Sequence, residues 1–386
     1  MKVAIIHDWL VNSGGGEKCL EVLCELFPHA DLYTLVYNPG RIASRRITSM
    51  NVKTSFIQNL PFAKSKYRYF LPFFPAAVEQ FDLREYDLVL SFSHCVAKGA
   101  ITSPGTCHIC YCCTPMRYAW DMYHDYFNEN NSSLFKRIVT AHFMKYLRMW
   151  DVSSVNRVDY FLTLSGYISD KIKKYYNREA QVMHPGVDTD FYTPQGNSKP
   201  ENPSNYFLIV SRLVTQKRIG LAVEAFNRLG LPLVIIGTGP DQGALKKMAA
   251  ANITFLGWQP DEVLREYYRD CKAFLLLNEE DFGITPLEAQ SCGKPVIAYG
   301  KGGALETVIN GVTGTFFHSQ TVESLVETIK DFNPSLFDGK IIRAQAMKFN
   351  VKDFKLRLWQ AIMDRYNGFY NLSKDSAKIA ASSSID

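Results

Sequence analysis

The chain has 386 residues, 47% of them hydrophobic, and its 43 Lys+Arg against 38 Asp+Glu give a formal net charge of +5. That length suggests two domains with sizeable cores, and the composition excludes a disordered chain, a collagen and a disulfide miniprotein. No apolar run approaches the roughly 20 residues that span a bilayer as a helix, because the most apolar stretch, residues 69–78, is interrupted by Pro72 and Pro75. The charge excess is uneven: residues 1–187 carry 21 basic and 16 acidic side chains, residues 188–386 carry 22 of each.

Met1 leads directly into Lys-Val-Ala-Ile-Ile6, which reads as a buried strand and leaves no room for a signal peptide. A cytoplasmic location is therefore expected. The next loop, Asn12-Ser-Gly-Gly-Gly-Glu17, offers open backbone and a helix N-terminus to an anion. It is not a dinucleotide fingerprint, since Cys19 stands where the third glycine belongs. Residues 32–78 contain no acidic side chain but seven basic ones, Arg41, Arg45, Arg46, Lys53, Lys64, Lys66 and Arg68. Aromatics interleave with the last of these in Lys66-Tyr-Arg-Tyr-Phe-Leu-Pro-Phe-Phe-Pro75. Such a segment suits an anionic membrane surface or a phosphorylated ligand, or is simply a solvated face. Nucleic acid is not expected, because the net charge is modest and no nucleic-acid motif is present.

Unalternated apolar runs at 88–92, 108–112 and 160–164 predict further buried strands. The second of these lies in Cys107-His-Ile-Cys-Tyr-Cys-Cys113. A strand points successive side chains to opposite faces and cannot wrap four ligands around a tetrahedral ion, so no metal site is expected there. Nine cysteines, an odd number, fit reduced thiols. After His184-Pro-Gly-Val-Asp188 comes a polar stretch with Pro194, Pro200 and Pro203, which predicts a linker at 188–204.

In the second half, runs at 206–210, 233–236, 273–277 and 296–298 predict a second parallel sheet wrapped by helices. Ser211-Arg-Leu-Val-Thr-Gln-Lys217 follows the first run and places a guanidinium and an ammonium where a diphosphate can be gripped. Gly237-Thr-Gly239 is another near miss, with Gln242 at the third position. Glu279-Glu280-Asp-Phe-Gly-Ile-Thr-Pro-Leu-Glu288 follows the 273–277 run. Thr285 is expected to cap a helix with Pro286 at its first position, and Thr285-x-x-Glu288 forms a capping box. Glu280, beside Gly283, is placed to accept from sugar hydroxyls, with the Gly283 and Ile284 N–H groups turned to a phosphate. Residues 373–386 are small and polar, as in a loose tail.

The two glutamates of Glu280-Asp-Phe-Gly-Ile-Thr-Pro-Leu-Glu288, with Arg212 and Lys217 upstream and Gly302-Gly303 downstream, resemble the retaining glycosyltransferases called family 4 or group 1. The resemblance covers nearly the whole chain. Ser93-His-Cys-Val-Ala-Lys-Gly99 and Tyr111-Cys-Cys-Thr-Pro-Met-Arg-Tyr-Ala-Trp120 are similar to a subgroup that includes O-antigen mannosyltransferases. It implies a GT-B fold, an α/β architecture of two Rossmann-like parallel-sheet domains facing a central cleft. Residues 1–187 would bind the acceptor and 205–355 the nucleotide sugar, with 356–372 a helix returning to the first domain.

The resemblance further implies Arg212 and Lys217 on the donor diphosphate, Glu280 on the transferred sugar and Glu288 on the ribose. Phe282, Gly283 and Ile284 would supply backbone contacts, and Gly15 and Gly16 would approach the phosphate. Where the subgroup has a histidine that touches the donor sugar, this chain has Cys113. That contact is lost, or is taken over by His94, His108 or His124; Arg117, in the same motif, is a further acceptor-side candidate. The implied reaction moves a hexose, with GDP-mannose the favoured donor, to a hydroxyl of a glycan or polyprenyl-diphosphate-linked acceptor in cell-surface polysaccharide synthesis. It would need no metal or cofactor, at the inner face of the plasma membrane. A nucleotide-sugar-binding protein without transfer activity and a GT-B epimerase acting on UDP-N-acetylglucosamine stay open as alternatives.

Overall fold

A computed structural model describes residues 1–12, 14–127, 134–194 and 205–382. Ser13 of the glycine loop, most of the expected linker and the last four residues of the expected tail lie outside them. Contacts divide the chain into two units, Met1–Met183 with Lys355–Asp386, and His184–Phe354.

Among the described residues the first unit holds a parallel sheet of seven strands, β1 (Val3–His7), β2 (Asp31–Thr34), β3 (Asn51–Thr54), β4 (Leu88–Ser93), β5 (Cys107–Cys112), β6 (Tyr160–Thr163) and β7 (Ala180–Val182). Their order is β3-β2-β1-β4-β5-β6-β7. The central strands are buried on both faces, which is why β1, β4 and β5 read as continuous apolar runs. β2, β3 and β7 were not anticipated: Asn-Val-Lys-Thr in β3 is largely exposed at the sheet edge and carries no apolar run. The glycine loop opens α1 (Gly15–Leu26), and the long helix α2 (Leu134–Ser154) and α3 (Gly166–Tyr176) follow β5 and β6. One core joins Ala4, Ile6 and Val89 of the sheet to Tyr67, Phe74, Met144, Leu147 and Trp150 of the covering helices.

The second unit has six parallel strands, β8 (Phe207–Val210), β9 (Leu233–Ile236), β10 (Ile253–Gly257), β11 (Ala273–Leu276), β12 (Val296–Tyr299) and β13 (Gly314–Phe317), in the order β10-β9-β8-β11-β12-β13. Its core sets Phe207, Ile209 and Ile235 against α4 (Ile219–Leu229), and its other helices include α5 (Asp261–Asp270), α6 (Ile284–Ser291), α7 (Val322–Asp331) and α8 (Gly339–Met347). Both sheets are doubly wound. In each, the chain reverses direction between its first and fourth strands, and ligands of such sheets bind outside the carboxyl ends at that point.

The last helix, α9, runs Val351–Ser382. It continues past Leu372, where a tail is expected from composition. Within the first unit Trp359 packs on Phe27 with ring centroids 5.3 Å apart. Lys355 pairs with Glu25 at 2.8 Å, and the Tyr370 hydroxyl donates to the Gly105 carbonyl at 2.8 Å. No helix among the described residues is long and apolar enough to cross a membrane.

Candidate functional site

In the second unit, β8 and β11 flank the reversal point, and their following loops carry the two most informative motifs. The Ser211–Lys217 loop is held by backbone bonds from Ser211 N–H to the Ile236 carbonyl and from Leu213 N–H to the Thr238 carbonyl, both 3.0 Å. This explains the Gly237-Thr-Gly239 near miss. A Cβ on Gly237 would lie 1.9 Å from the Ser211 oxygen, and one on Gly239 2.0 Å from the Leu213 oxygen. These glycines let two loops touch rather than bind a dinucleotide. Arg212 is exposed, and among the described residues no carboxylate lies within ion-pair distance of it.

Lys217 is ion-paired with Glu280 from the neighbouring loop. The Asn278 amide also donates to Glu280, at 3.3 Å. The Glu280 backbone is fixed from its other side, because Gly303 N–H donates to its carbonyl at 2.7 Å. Gly302, at φ +66°, passes so close that a Cβ there would sit 2.5 Å from that same oxygen. Phe282 is buried between His184, stacked at 5.4 Å, and Phe349 at 5.7 Å. His184 in turn bonds Glu306 at 2.9 Å. Sequence reasoning placed His184 only in the stretch leading into the expected linker, and no local spacing signals its place against Phe282.

The capping box does not form. Gly283, at φ +96°, is itself the N-cap of α6, so the helix starts at Ile284 and Thr285 lies within its first turn. Pro286 is tolerated there because the first-turn N–H groups have no intrahelical partner. Glu288, 4% exposed, instead accepts from the Tyr268 hydroxyl at 2.8 Å. Lys217 and Glu280 are thus in direct contact. Phe282, Gly283 and Ile284 form the loop and helix start beside them, and Glu288 lies farther along α6 on an internal partner.

The remaining candidates belong to the first unit. Gly15 and Gly16 open α1, where a Cβ on Gly16 would meet nothing closer than 3.9 Å. Packing therefore does not demand glycine at Gly16. Asp8, just after β1, accepts four backbone N–H groups, from His94 (2.7 Å) and Cys95 (3.0 Å) on Oδ2 and from Val96 (2.6 Å) and Ala97 (2.7 Å) on Oδ1. It ties the loops after β1 and β4 together, a role that a lone Asp in the sequence does not announce. His94 Nδ1 lies 3.1 Å from Asp8 Oδ2. Burial lowers the His94 pKa against the pull of Asp8, and Arg117 and Arg68 push the same way as burial. The Cys113 thiol is pushed well up, chiefly by burial, so it stays protonated.

Of the three histidines that could replace the one missing at Cys113, His108 is unavailable. Its Nδ1 donates to the Arg157 carbonyl and its Nε2 accepts from Ser91, both at 2.8 Å, in the middle of the sheet. His124 packs edge-on against Tyr123. His94 alone stands at the β1/β4 reversal point. The first-half motifs also share a buried network, in which Lys98 pairs with Asp151 at 2.6 Å while Trp120 (2.7 Å) and Tyr176 (2.9 Å) donate to the other oxygen of Asp151. In the cysteine run, Cys110 and Cys112 pack in one core with Phe161 and Ile172. Among the described residues no three or more His, Cys, Asp or Glu side chains gather as a metal site.

Residues 193–334 match the family described as glycosyl transferases group 1. The matched stretch lies within the second unit. A GDP-mannose-dependent α-(1-6)-phosphatidylinositol monomannoside mannosyltransferase from Mycolicibacterium smegmatis is 30% identical over 232 residues, 53% of this chain and 59% of the relative. A D-inositol 3-phosphate glycosyltransferase from the same organism is 28% identical over 39% of each chain. The chain thus spans little more than half the length of the first of these curated relatives, and less of the second. Among solved structures, sucrose-phosphate synthase from Thermosynechococcus elongatus superposes with a TM-score of 0.72 at 17% identity, over 95% of this chain and 100% of that one. Anabaena HepE in complex with UDP-glucose gives 0.66 at 16% identity, over 94% and 100%. At such identities the likeness is one of fold, and this chain has the two Rossmann-like sheets of GT-B proteins.

Proposed function

We propose that the protein transfers a hexosyl group from a nucleotide-diphosphate sugar to a hydroxyl acceptor with retention at the anomeric carbon. The observation that carries this is the pairing of Lys217 with Glu280 at the β8/β11 reversal point, beside an exposed Arg212. A cation paired with a carboxylate, with a second cation in the same loop, suits a diphosphate next to a sugar: in this reading Arg212 and Lys217 take the phosphates, and Glu280 accepts from sugar hydroxyls. In the same-face mechanism that the resemblance implies, the leaving diphosphate collects the acceptor proton. The protein's task is then to stabilise departing negative charge with fixed positive groups. No metal is required in this reading. GDP-mannose is the favoured donor, supported by the GDP-mannose dependence of the Mycolicibacterium relative, and UDP-glucose is the competing one, supported by the HepE complex.

The acceptor in this reading is a glycan or a polyprenyl-diphosphate-linked sugar in cell-surface polysaccharide synthesis, reached from the cytoplasmic face. The exposed Phe62, Lys64, Lys66, Arg68, Tyr69 and Phe73 would touch the anionic membrane. Lys53 and Arg46 are outside this set: Lys53 bonds Asp31 at 3.0 Å and Arg46 donates to the Cys24 carbonyl at 3.1 Å.

The test is donor turnover with GDP-mannose and UDP-glucose, measured in EDTA with and without an acceptor lipid. Arg212→Ala should lose a factor of about 10² to 10³ in turnover, the usual cost of one such electrostatic donor. Near-normal turnover in that variant sinks the assignment. Nucleotide sugar that raises the melting temperature but is neither hydrolysed nor transferred identifies a binding protein instead.

A further inference from the structure

The helix α2 has two apolar faces. Met144, Leu147 and Trp150 are buried in the core of the first unit. On the outer side Ile138 is 59% exposed, Val139 51%, Tyr146 52%, Met149 63% and Val152 41%. At 100° per residue, positions 138, 142, 145, 149 and 152 fall on one stripe, with 139 and 146 along its edge. Five large apolar side chains on one outward face exceed the scattered exposure that needs no explanation.

The charges say what covers them. Residues 134–150 contain no Asp or Glu; Lys145 is exposed within the stripe and Arg137 to one side of it. Asp151, the first acidic residue of the helix, is buried on Lys98. A largely apolar outward face whose charged members are all cations is the pattern of a helix lying on an anionic lipid surface. A second copy of the same basic face would be repelled. The short helices Ala63–Lys66 and Phe74–Glu79 pack on the same core as α2, and Trp150 Nε1 donates to Glu79 at 2.7 Å.

We infer that the outward face of α2, with Ile138, Val139, Tyr146, Met149 and Val152 and the cations Arg137 and Lys145, is a second contact for an anionic lipid surface. The inference rests on the membrane contact proposed for residues 62–73 and extends it from a loop tip to a helix lying flat, with Tyr146 and Met149 in the headgroup region.

Flotation on vesicles of phosphatidylcholine with about 30% phosphatidylglycerol tests it, with phosphatidylcholine alone as control. The variant Ile138→Ser/Tyr146→Ser/Met149→Ser should lose about tenfold in bound fraction with its melting curve unchanged, since each serine removes apolar area from the interface. Unchanged binding of that variant, while Phe62→Ser/Lys64→Ser/Lys66→Ser/Tyr69→Ser loses it, overturns this inference and leaves the contact at 62–73 standing. If neither variant loses binding, both fall. A vesicle-free change in sedimentation of the α2 variant assigns the face to a second copy and also overturns the inference. Should that variant melt early, Met149→Trp decides: quenching by brominated acyl chains is expected, and its absence is fatal.

Discussion

Gly303 leaves its loop no latitude. A Cβ there would lie 2.3 Å from the Phe282 Cα and 2.6 Å from the Asp281 oxygen, both backbone atoms that cannot swing away. The consequence is local to the candidate site, since the same glycine N–H holds the Glu280 carbonyl. Gly303→Ala should destabilise the second unit by about 2–4 kcal/mol through overpacking against backbone. Gly243 is the control: it lies in the helix Gln242–Met248 with nothing within 4 Å of a Cβ, so Gly243→Ala should be neutral or stabilising by about 0.5–1 kcal/mol. Urea melts of both variants check this, and equal behaviour would mean that the loop at Gly303 relaxes. The Gly302-Gly303 pair was legible as a motif. Its reason, the close passage of one loop over another, was not, because no local pattern encodes a contact made twenty residues away. Asp8 is similar: four N–H donors converge on it from a loop 86 or more residues later.

Among the elements, β5 shows what a sequence reads well and what it hides. Its apolar run identified the strand. His108, by contrast, stayed ambiguous between a site residue and a core residue until its partners were known. Burial pushes its imidazole down to about 4, from about 6.5 in an unfolded chain. The unfolded state therefore takes up the proton first as pH falls. The contribution of neutral His108 is complete above about pH 6.5 and is lost progressively as pH drops towards about 4. It amounts to about 2–4 kcal/mol, and the lowered pKa values of His7 and His94, both set first by burial, add loss of the same sign. Unfolding free energy measured from pH 7 to 4.5 should fall more steeply for the wild type than for His108→Gln. Parallel curves would show that His108 is not the group responsible. The strands missed in sequence, β2, β3 and β7 in the first unit and β10 and β13 in the second, include a sheet edge and short runs whose polar residues and glycines dilute the apolar signal.

For the whole molecule, the uneven charge and the doubled topology bear on separate tasks. The second unit has 17 basic and 19 acidic residues, and in the loops after β8 and β11 it pairs Lys217 with Glu280 and leaves Arg212 exposed, so the proposed diphosphate contact needs no basic surface. The first unit carries the excess; Lys64, Lys66 and Arg68 of it are exposed within 62–73 and Arg137 and Lys145 along α2, while Lys53 and Arg46 are bonded within the unit. Ligand response should divide accordingly. A nucleoside diphosphate at about 100 times its dissociation constant stabilises whatever part folds around it by about 2.7 kcal/mol. In hydrogen exchange, GDP or UDP should therefore slow the amides of 211–217 and 280–288, while those of 62–73 and 137–152 stay unchanged. Anionic vesicles should do the reverse. Nucleotide protection that appeared first at Gly15 and Gly16, with 211–217 untouched, would move the diphosphate site to the α1 N-terminus and away from Arg212 and Lys217.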